Sequence, residues 1–446
     1  MLARLCGSIL AAAFVLVGPH APLSPFAVPA ALADDDDGGG GGFSRGFGGG
    51  FSGAKTILGL APRILRGIKV PGSRPVKRRR AAAAPIRKQE RELVAVGLTP
   101  SDIDRLTALG FTVLAERQIA TFGASVTRLQ IPPKQSLSGA TNIVAQEASG
   151  VSVAANDRYR GLSRVVYAPA GDGCGERCEA FELTAWTKEL GRCTAKARIG
   201  VVDTGADLDH PTLSGTPIVS KVFRSKDRAP SDTDHGTAVL SLLVGKPDSD
   251  VVGLAHGAEV LHADAFHGSG DSSATDVFDL VAAIDWLLSE RVEVLNLSFS
   301  GPDNPLVERA ILAAQNKGVQ VIAAVGRPDR GNLAGYPARY DGVIAVSAVD
   351  NRMRLSRHSI RGGHVAFAAP GVGLTVAHGK NGLRKVDGTS FAAPFVVAAY
   401  AMSAKNGRPR SEVSQTLARS ALDLGAPGRD NAYGWGLLQY SAIPGC

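Results

Sequence analysis

Ile199-Gly200-Val201-Val202-Asp203-Thr204-Gly205 is an apolar run that ends on a carboxylate and a glycine turn. It has no polar face, the pattern of a strand covered on both sides. Similar runs follow at Glu259 to Ala263, Glu293 to Ser298, Val319 to Ala324 and Gly342 to Val346, separated by helical stretches such as Ser273 to Leu288 and Pro305 to Lys317. This alternation predicts an α/β fold in which a parallel sheet is sandwiched by helices. The body from about Leu190 is of a size that one such domain can hold. Open sheets of this class carry their sites at the carboxyl ends of the strands, where Asp203 stands.

Two further stretches supply complementary chemistry. Asp234-His235-Gly236-Thr237, followed by Ala238 to Val244, puts an imidazole in the first turn of an apolar helix, and Gly236 permits close approach of another chain. Asp387-Gly388-Thr389-Ser390-Phe391-Ala392-Ala393-Pro394 runs into the apolar Phe395 to Ala401 and puts Ser390 at the start of a buried helix. The free N–H groups and positive end of such a helix favour developing negative charge. Acyl transfer by serine needs a hydroxyl, an imidazole to take its proton, a carboxylate to orient the imidazole, and donors for the oxyanion. Taken singly, the three stretches have bland readings as a turn, a packed histidine and a helix start. Together, in the order Asp, His, Ser across an α/β pattern, they predict a catalytic triad of Asp203, His235 and Ser390.

The stretch from Ile199 to Pro211, His235-Gly236-Thr237, Leu295-Asn296-Leu297-Ser298 and Gly388 to Pro394 resemble the signatures of the subtilisin-like serine peptidases, over roughly Leu190 to Ala442. The resemblance implies a serine endopeptidase acting through an acyl-enzyme on a peptide or protein substrate. Asp203 would orient His235, the general base toward Ser390 and then the general acid toward the leaving amine. Ser298-Phe299-Ser300 resembles the substrate-pairing edge, with Ala324-Val325-Gly326 across the primary specificity pocket. Four departures accompany the match. Arg327 follows Gly326 where the family usually has an Asn that donates to the oxyanion, and its long side chain is expected to swing out to solvent. Ala238 and Phe395 replace frequent histidines. Thr212 replaces a frequent calcium-ligand Asp, so a calcium site of the common type is not expected. No cofactor and no metal site are expected. His210, His262 and His364 lack metal-ligand spacing and read as surface or packing residues.

Upstream, Leu93 to Leu98 reads as a strand and Pro100-Ser101 opens a helix with Ile103, Leu106 and Leu109 on one face, stopped by Gly110. Phe111 to Ala120 and Ala124 to Ile131 read as strands, Gly139 to Ala148 as a helix and Val151 to Ala155 as a strand. This is the β-α-β-β-α-β order of a small ferredoxin-like α+β domain. It resembles the family's propeptide, an intramolecular inhibitor whose tail, around Val151 to Arg160, would block the active site. So small a unit has a marginal core and needs a partner surface.

The expected organisation is a signal peptide over 1–33, a Gly-rich and basic linker over 34–91, the propeptide-like domain over 92–160, a connector over 161–189 and the catalytic domain over 190–446. Arg4, the apolar Leu5 to Val17 and the Ala31-Leu32-Ala33 cleavage pattern read as an export signal, too short for a stable membrane span. Asp34 to Gly53 is low complexity, and its Gly42-Phe43-Ser44-Arg45-Gly46 match to an esterase motif lacks the strand and helix that motif needs. The net charge is +8, but residues 54–91 alone carry +11, so the remainder sums to −3. The basic stretch is read as a solvated tether, with no nucleic-acid partner.

Cys174, Cys178, Cys193 and Cys446 remain after the signal and, in an oxidising compartment, are expected to form two disulfides in one of three pairings. A secreted or periplasmic monomer follows from these readings. The alternative, favoured by Arg327 alone, is a catalytically weak or inactive binding protein of the same fold.

Overall fold

The computed structural model of the chain describes residues 91–161, 163–169, 179–328, 335–404 and 408–444. The expectations for the signal, the Gly-rich and basic linker, and Cys174, Cys178 and Cys446 fall outside them. Cys193 is buried and disulfide-bonded.

The first unit comprises β1 (Glu92–Val96), α1 (Pro100–Ala108), β2 (Thr112–Ile119), β3 (Ala124–Gln130), α2 (Leu137–Glu147) and β4 (Ser152–Ala155). Its antiparallel sheet has the order β2-β3-β1-β4. Helix α1 starts where its sequence dictates: Thr99 accepts from the Asp102 N–H, Asp102 accepts from the Thr99 N–H, and Pro100 opens the first turn. Leu106 is buried, but Leu109 caps the helix at 49% exposure and is not part of the apolar face expected of it.

The two faces of this sheet have different partners. Leu93, Ala95 and Leu129 cover α1 and α2. Val94, Val96, Val126 and Ala154 join a cluster that includes Phe278, Val281, Leu306 and Val307 of the larger unit. All five residues of β1 are therefore buried, and the small unit completes its core on its neighbour.

The chain continues as β5 (Arg158–Gly161), β6 (Ser163–Pro169), α3 (Glu179–Thr184) and α4 (Lys188–Arg192), so the stretch expected to be a connector holds regular structure. The larger unit follows with β7 (Arg198–Asp203), β8 (Ile218–Val222), α5 (Asp234–Val244), β9 (Glu259–Asp264), β10 (Ala274–Asp276), α6 (Val277–Ser289), β11 (Val294–Leu297) and β12 (Phe299–Ser300). It closes with α7 (Pro305–Asn316), β13 (Gln320–Ala324), β14 (Ile344–Val349), β15 (Val365–Pro370), β16 (Val372–His378), β17 (Gly382–Gly388), α8 (Thr389–Ser403) and α9 (Arg410–Ser420).

Seven strands form one parallel sheet in the order β15-β14-β13-β11-β7-β9-β8. Its side chains alternate between two cores. Ile199, Val201, Val260 and Val294 pack with α5 and α8, while Val202, Leu261, Leu295 and Leu297 pack with α6 and α7. That double coverage is the fold class expected from the doubly apolar strands. Residues 273–276, expected to begin a helix, instead hold β10, and α6 starts at Val277, where Asp276 accepts from the Asp279 N–H.

Candidate active site

Asp203 ends β7 and is 1% exposed. Its Oδ1 lies 2.5 Å from Nδ1 of His235 and accepts from the Thr204 N–H at 2.7 Å. His235 sits in the first turn of α5, which crosses the turn after β7 closely enough to require glycine. A Cβ on Gly236 would fall 2.5 Å from the Gly205 carbonyl oxygen and 2.6 Å from that of Thr204. The Gly236 N–H donates to Thr204 Oγ1 at 2.8 Å, tying the helix to the strand end.

Burial works to lower the His235 pKa, but the charge and hydrogen bond of Asp203 and the charge of Asp232 outweigh it, so the pKa is raised. Nδ1 faces a carboxylate and carries the proton, which leaves Nε2 to act as the base. Nε2 is buried and has no hydrogen-bond partner among the described residues.

Ser390 is fully buried at the start of α8, and its hydroxyl donates to the Ser298 carbonyl at 2.9 Å. The Ser298 hydroxyl donates in turn to the Ser390 carbonyl at 2.9 Å and accepts from Asn296 at 2.9 Å. Phe391, next to Ser390, brings its ring 5.4 Å from that of His235. Helices α5 and α8 lack a side-chain N-cap, whereas α1, α2, α6 and α7 have one. The uncapped start of α8 leaves main-chain donors beside Ser390.

Ser298, Phe299 and Ser300 form a buried edge, and Ala324, Val325 and Gly326 lie beside it, with Gly326 packed against Ser300. Arg327 is 7% exposed, which corrects the expectation that it swings out to solvent. It follows the buried Ala324, Val325 and Gly326 directly, and the same packing encloses it.

A strand already occupies this cleft. β5 lies between β10 and β12, antiparallel to both, with Tyr159 opposite Thr275, Arg160 opposite Ser300 and Gly161 opposite Phe299. A Cβ on Gly161 would stand 3.9 Å from His235 Nε2. Tyr159 is fully buried, edge-on to Phe299 at 5.9 Å, and donates its hydroxyl to the Pro302 carbonyl at 2.9 Å. On the far side of the site β6 pairs with β17, Ser163 opposite Gly388, two residues before Ser390. Sequence reading missed β10 and β17, because main-chain recognition leaves no side-chain signature.

His267, Asp276 and Asp279 are the one set with metal-like spacing among the described residues, within 4.8 Å of one another. Asp279 pairs with Arg117 at 3.0 Å and Asp276 with Arg228 at 3.3 Å, so guanidinium groups already balance the charge there.

A family model described as the subtilase family matches residues 194–436. The chain belongs to the subtilase family. Among curated relatives it is 31% identical over 265 residues to the "Minor extracellular protease Epr" of Bacillus subtilis, covering 58% of this chain and 40% of that protein. It is 30% identical over 258 residues to "Subtilisin DY" of Bacillus licheniformis, covering 56% of this chain and 90% of that one. Fervidolysin from Fervidobacterium pennivorans has the same fold, with a TM-score of 0.67 at 23% identity over 79% of this chain and 60% of that one. This subtilase therefore shares its central unit with proteins of quite different length.

Proposed function

We propose that this subtilase is an exported serine endopeptidase made as a self-processing precursor. Asp203, His235 and Ser390 are its triad. In the proposed step the Ser390 hydroxyl exchanges the Ser298 carbonyl for Nε2 of His235, which takes the proton as the oxygen attacks the substrate carbonyl. The Ser390 N–H and the start of α8 receive the oxyanion, and buried Arg327 adds a positive donor. His235 then protonates the leaving amine, and water, activated the same way, releases the acyl group. The names of the relatives, an extracellular protease and a subtilisin, agree with this reading. Export implies two disulfides among Cys174, Cys178, Cys193 and Cys446, and the proposed organisation is a signal peptide over 1–33, a linker over 34–91, a propeptide over 92–160, a connector over 161–189 and the catalytic unit over 190–446.

The observation that carries the proposal is the strand in the cleft. The register of β5 on β12 sets Gly161 beside His235, and that of β6 on β17 sets Ser163 opposite Gly388, two residues before Ser390. The small unit is thus read as a propeptide whose tail lies as substrate and then as inhibitor. In the purified full-length chain, self-cleavage should create a new N-terminus at Ser163, and Ser390→Ala should stay whole. Cleavage at the same place in Ser390→Ala would overturn the proposal.

A further inference from the structure

His262 lies in the middle of β9, opposite Val201 of β7 on one side and Ser220 of β8 on the other. It is fully buried. Nε2 is 2.8 Å from the Thr204 carbonyl oxygen and Nδ1 is 2.9 Å from Ser220 Oγ. A carbonyl only accepts, so Nε2 carries the proton. In the neutral ring Nδ1 then accepts from the Ser220 hydroxyl. Asp203 and Asp264 are the acidic groups that face the ring, and their charges favour the imidazolium. Burial outweighs them and holds the pKa below its ordinary value, so one tautomer is fixed at neutral pH.

Thr204 is where this bond matters. Its N–H donates to Asp203 Oδ1, its Oγ1 accepts from the Gly236 N–H, and its carbonyl is held by His262. One residue thus links the carboxylate, the helix that carries His235 and the neighbouring strand. Without His262 the Thr204 carbonyl would be a buried acceptor facing the close approach of Gly236, and the peptide could turn. That carbonyl shares its peptide plane with the Gly205 N–H, which donates to Ser231 Oγ at 3.0 Å, so a turn of the plane breaks this bond as well and shifts the Thr204 Cα, from which the N–H on Asp203 and the Oγ1 on Gly236 are both hung.

We propose that His262 is a positioning residue of the active site, acting through Thr204 to hold Asp203 and His235 at their 2.5 Å separation. It rests on the peptidase reading above, and it acts on the chemical step, not on substrate binding.

The test uses the full chain, allowed to mature, with kcat and KM measured on an unstructured peptide from pH 5 to 9 alongside the melting temperature. His262→Leu should lower kcat about tenfold or more with KM changed less than about twofold, as expected for loss of an interaction that serves the transition state. Its acid limb should move to lower pH, because Asp203 holds His235 less well. In His262→Gln the amide nitrogen reaches the place of Nε2 and can still donate to Thr204, so most of kcat should return. In His262→Asn the amide reaches only the place of Nδ1, and the loss should resemble that in the leucine variant. Should the leucine variant fail to fold, the contrast between Gln and Asn decides. Equal kcat in Gln and Asn, or a loss that follows melting temperature with the acid limb unmoved, overturns the positioning role. Ser390→Ala in the same assay separates this from the parent reading: activity surviving there refutes the peptidase assignment itself.

Discussion

Tyr159 is the side chain that anchors the cleft-bound tail, and its removal measures how much of the inhibition depends on that tail. Its ring is fully buried, edge-on to Phe299, and its hydroxyl donates to the Pro302 carbonyl. The fit is close: a Cβ on Gly301 would fall 2.4 Å from the ring. Truncating a buried aromatic residue to alanine costs about 3 to 5 kcal/mol. The tail is wet when undocked and keeps its main-chain pairing, so the lower figure applies. At 1.4 kcal/mol per decade, about 3 kcal/mol weakens inhibition roughly 10²-fold. Tyr159→Phe loses the hydroxyl bond alone, about 1 kcal/mol, or roughly fivefold. The assay is inhibition of the processed enzyme by residues 91–162 supplied as a separate chain. If alanine inhibits within about threefold of the parent, or if alanine and phenylalanine are equally weakened, the tail is not what blocks the site.

Self-processing should slow on acidification with a midpoint above pH ~6.5. Only neutral His235 can take the Ser390 proton, and its pKa is raised. Asp203→Asn leaves only the smaller effect of the Asp232 charge against burial, so that midpoint should fall while the rate drops roughly 10³- to 10⁴-fold; an unmoved midpoint would show that another group titrates. Arg327→Ala should lower turnover by about 10²-fold, with Arg327→Asn recovering part of the loss, and steady-state kinetics that leave both variants at parental turnover would remove Arg327 from the oxyanion site. Arg228 pairs with Glu92 of the small unit at 3.0 Å and with Asp276 at 3.3 Å. Arg228→Ala should destabilise the Ser390→Ala precursor by about 3 kcal/mol, seen as a fall of several degrees in its melting temperature, because two buried carboxylates lose a charged partner and Glu92 keeps only Asn156 and the more distant Arg128.

The central sheet was legible because strands such as β7 and β11 are apolar on both faces, a pattern that local sequence displays directly. The first helix of the small unit was legible from its Pro100 start and the spacing of Ile103 and Leu106, though Leu109 was placed on the wrong side of the boundary, and the second was read two residues late at its start, past the Ser136 cap. What escaped depends on partners distant in sequence. Ala274–Asp276 is a strand because β5 lies against it, and Gly382–Gly388 because β6 and β16 do, and long-range pairing of this kind overrides local preference. At the site, the strand end at Asp203 and the helix starts at His235 and Ser390 were readable as positions, since each depends on its own few neighbours. The burial of Arg327 and the bridge from Ser220 through His262 to Thr204 were not, because a side chain's direction and a histidine's two partners are set by tertiary packing.

The most direct test of the account is reaction of the processed protein with a serine-directed fluorophosphonate, followed by mapping of the labelled peptide. The account predicts one modified residue, Ser390, with labelling abolished by Ser390→Ala and suppressed when residues 91–162 are added back. Labelling at another serine, or persistent peptidase activity in a chain whose Ser390 is replaced, would contradict it.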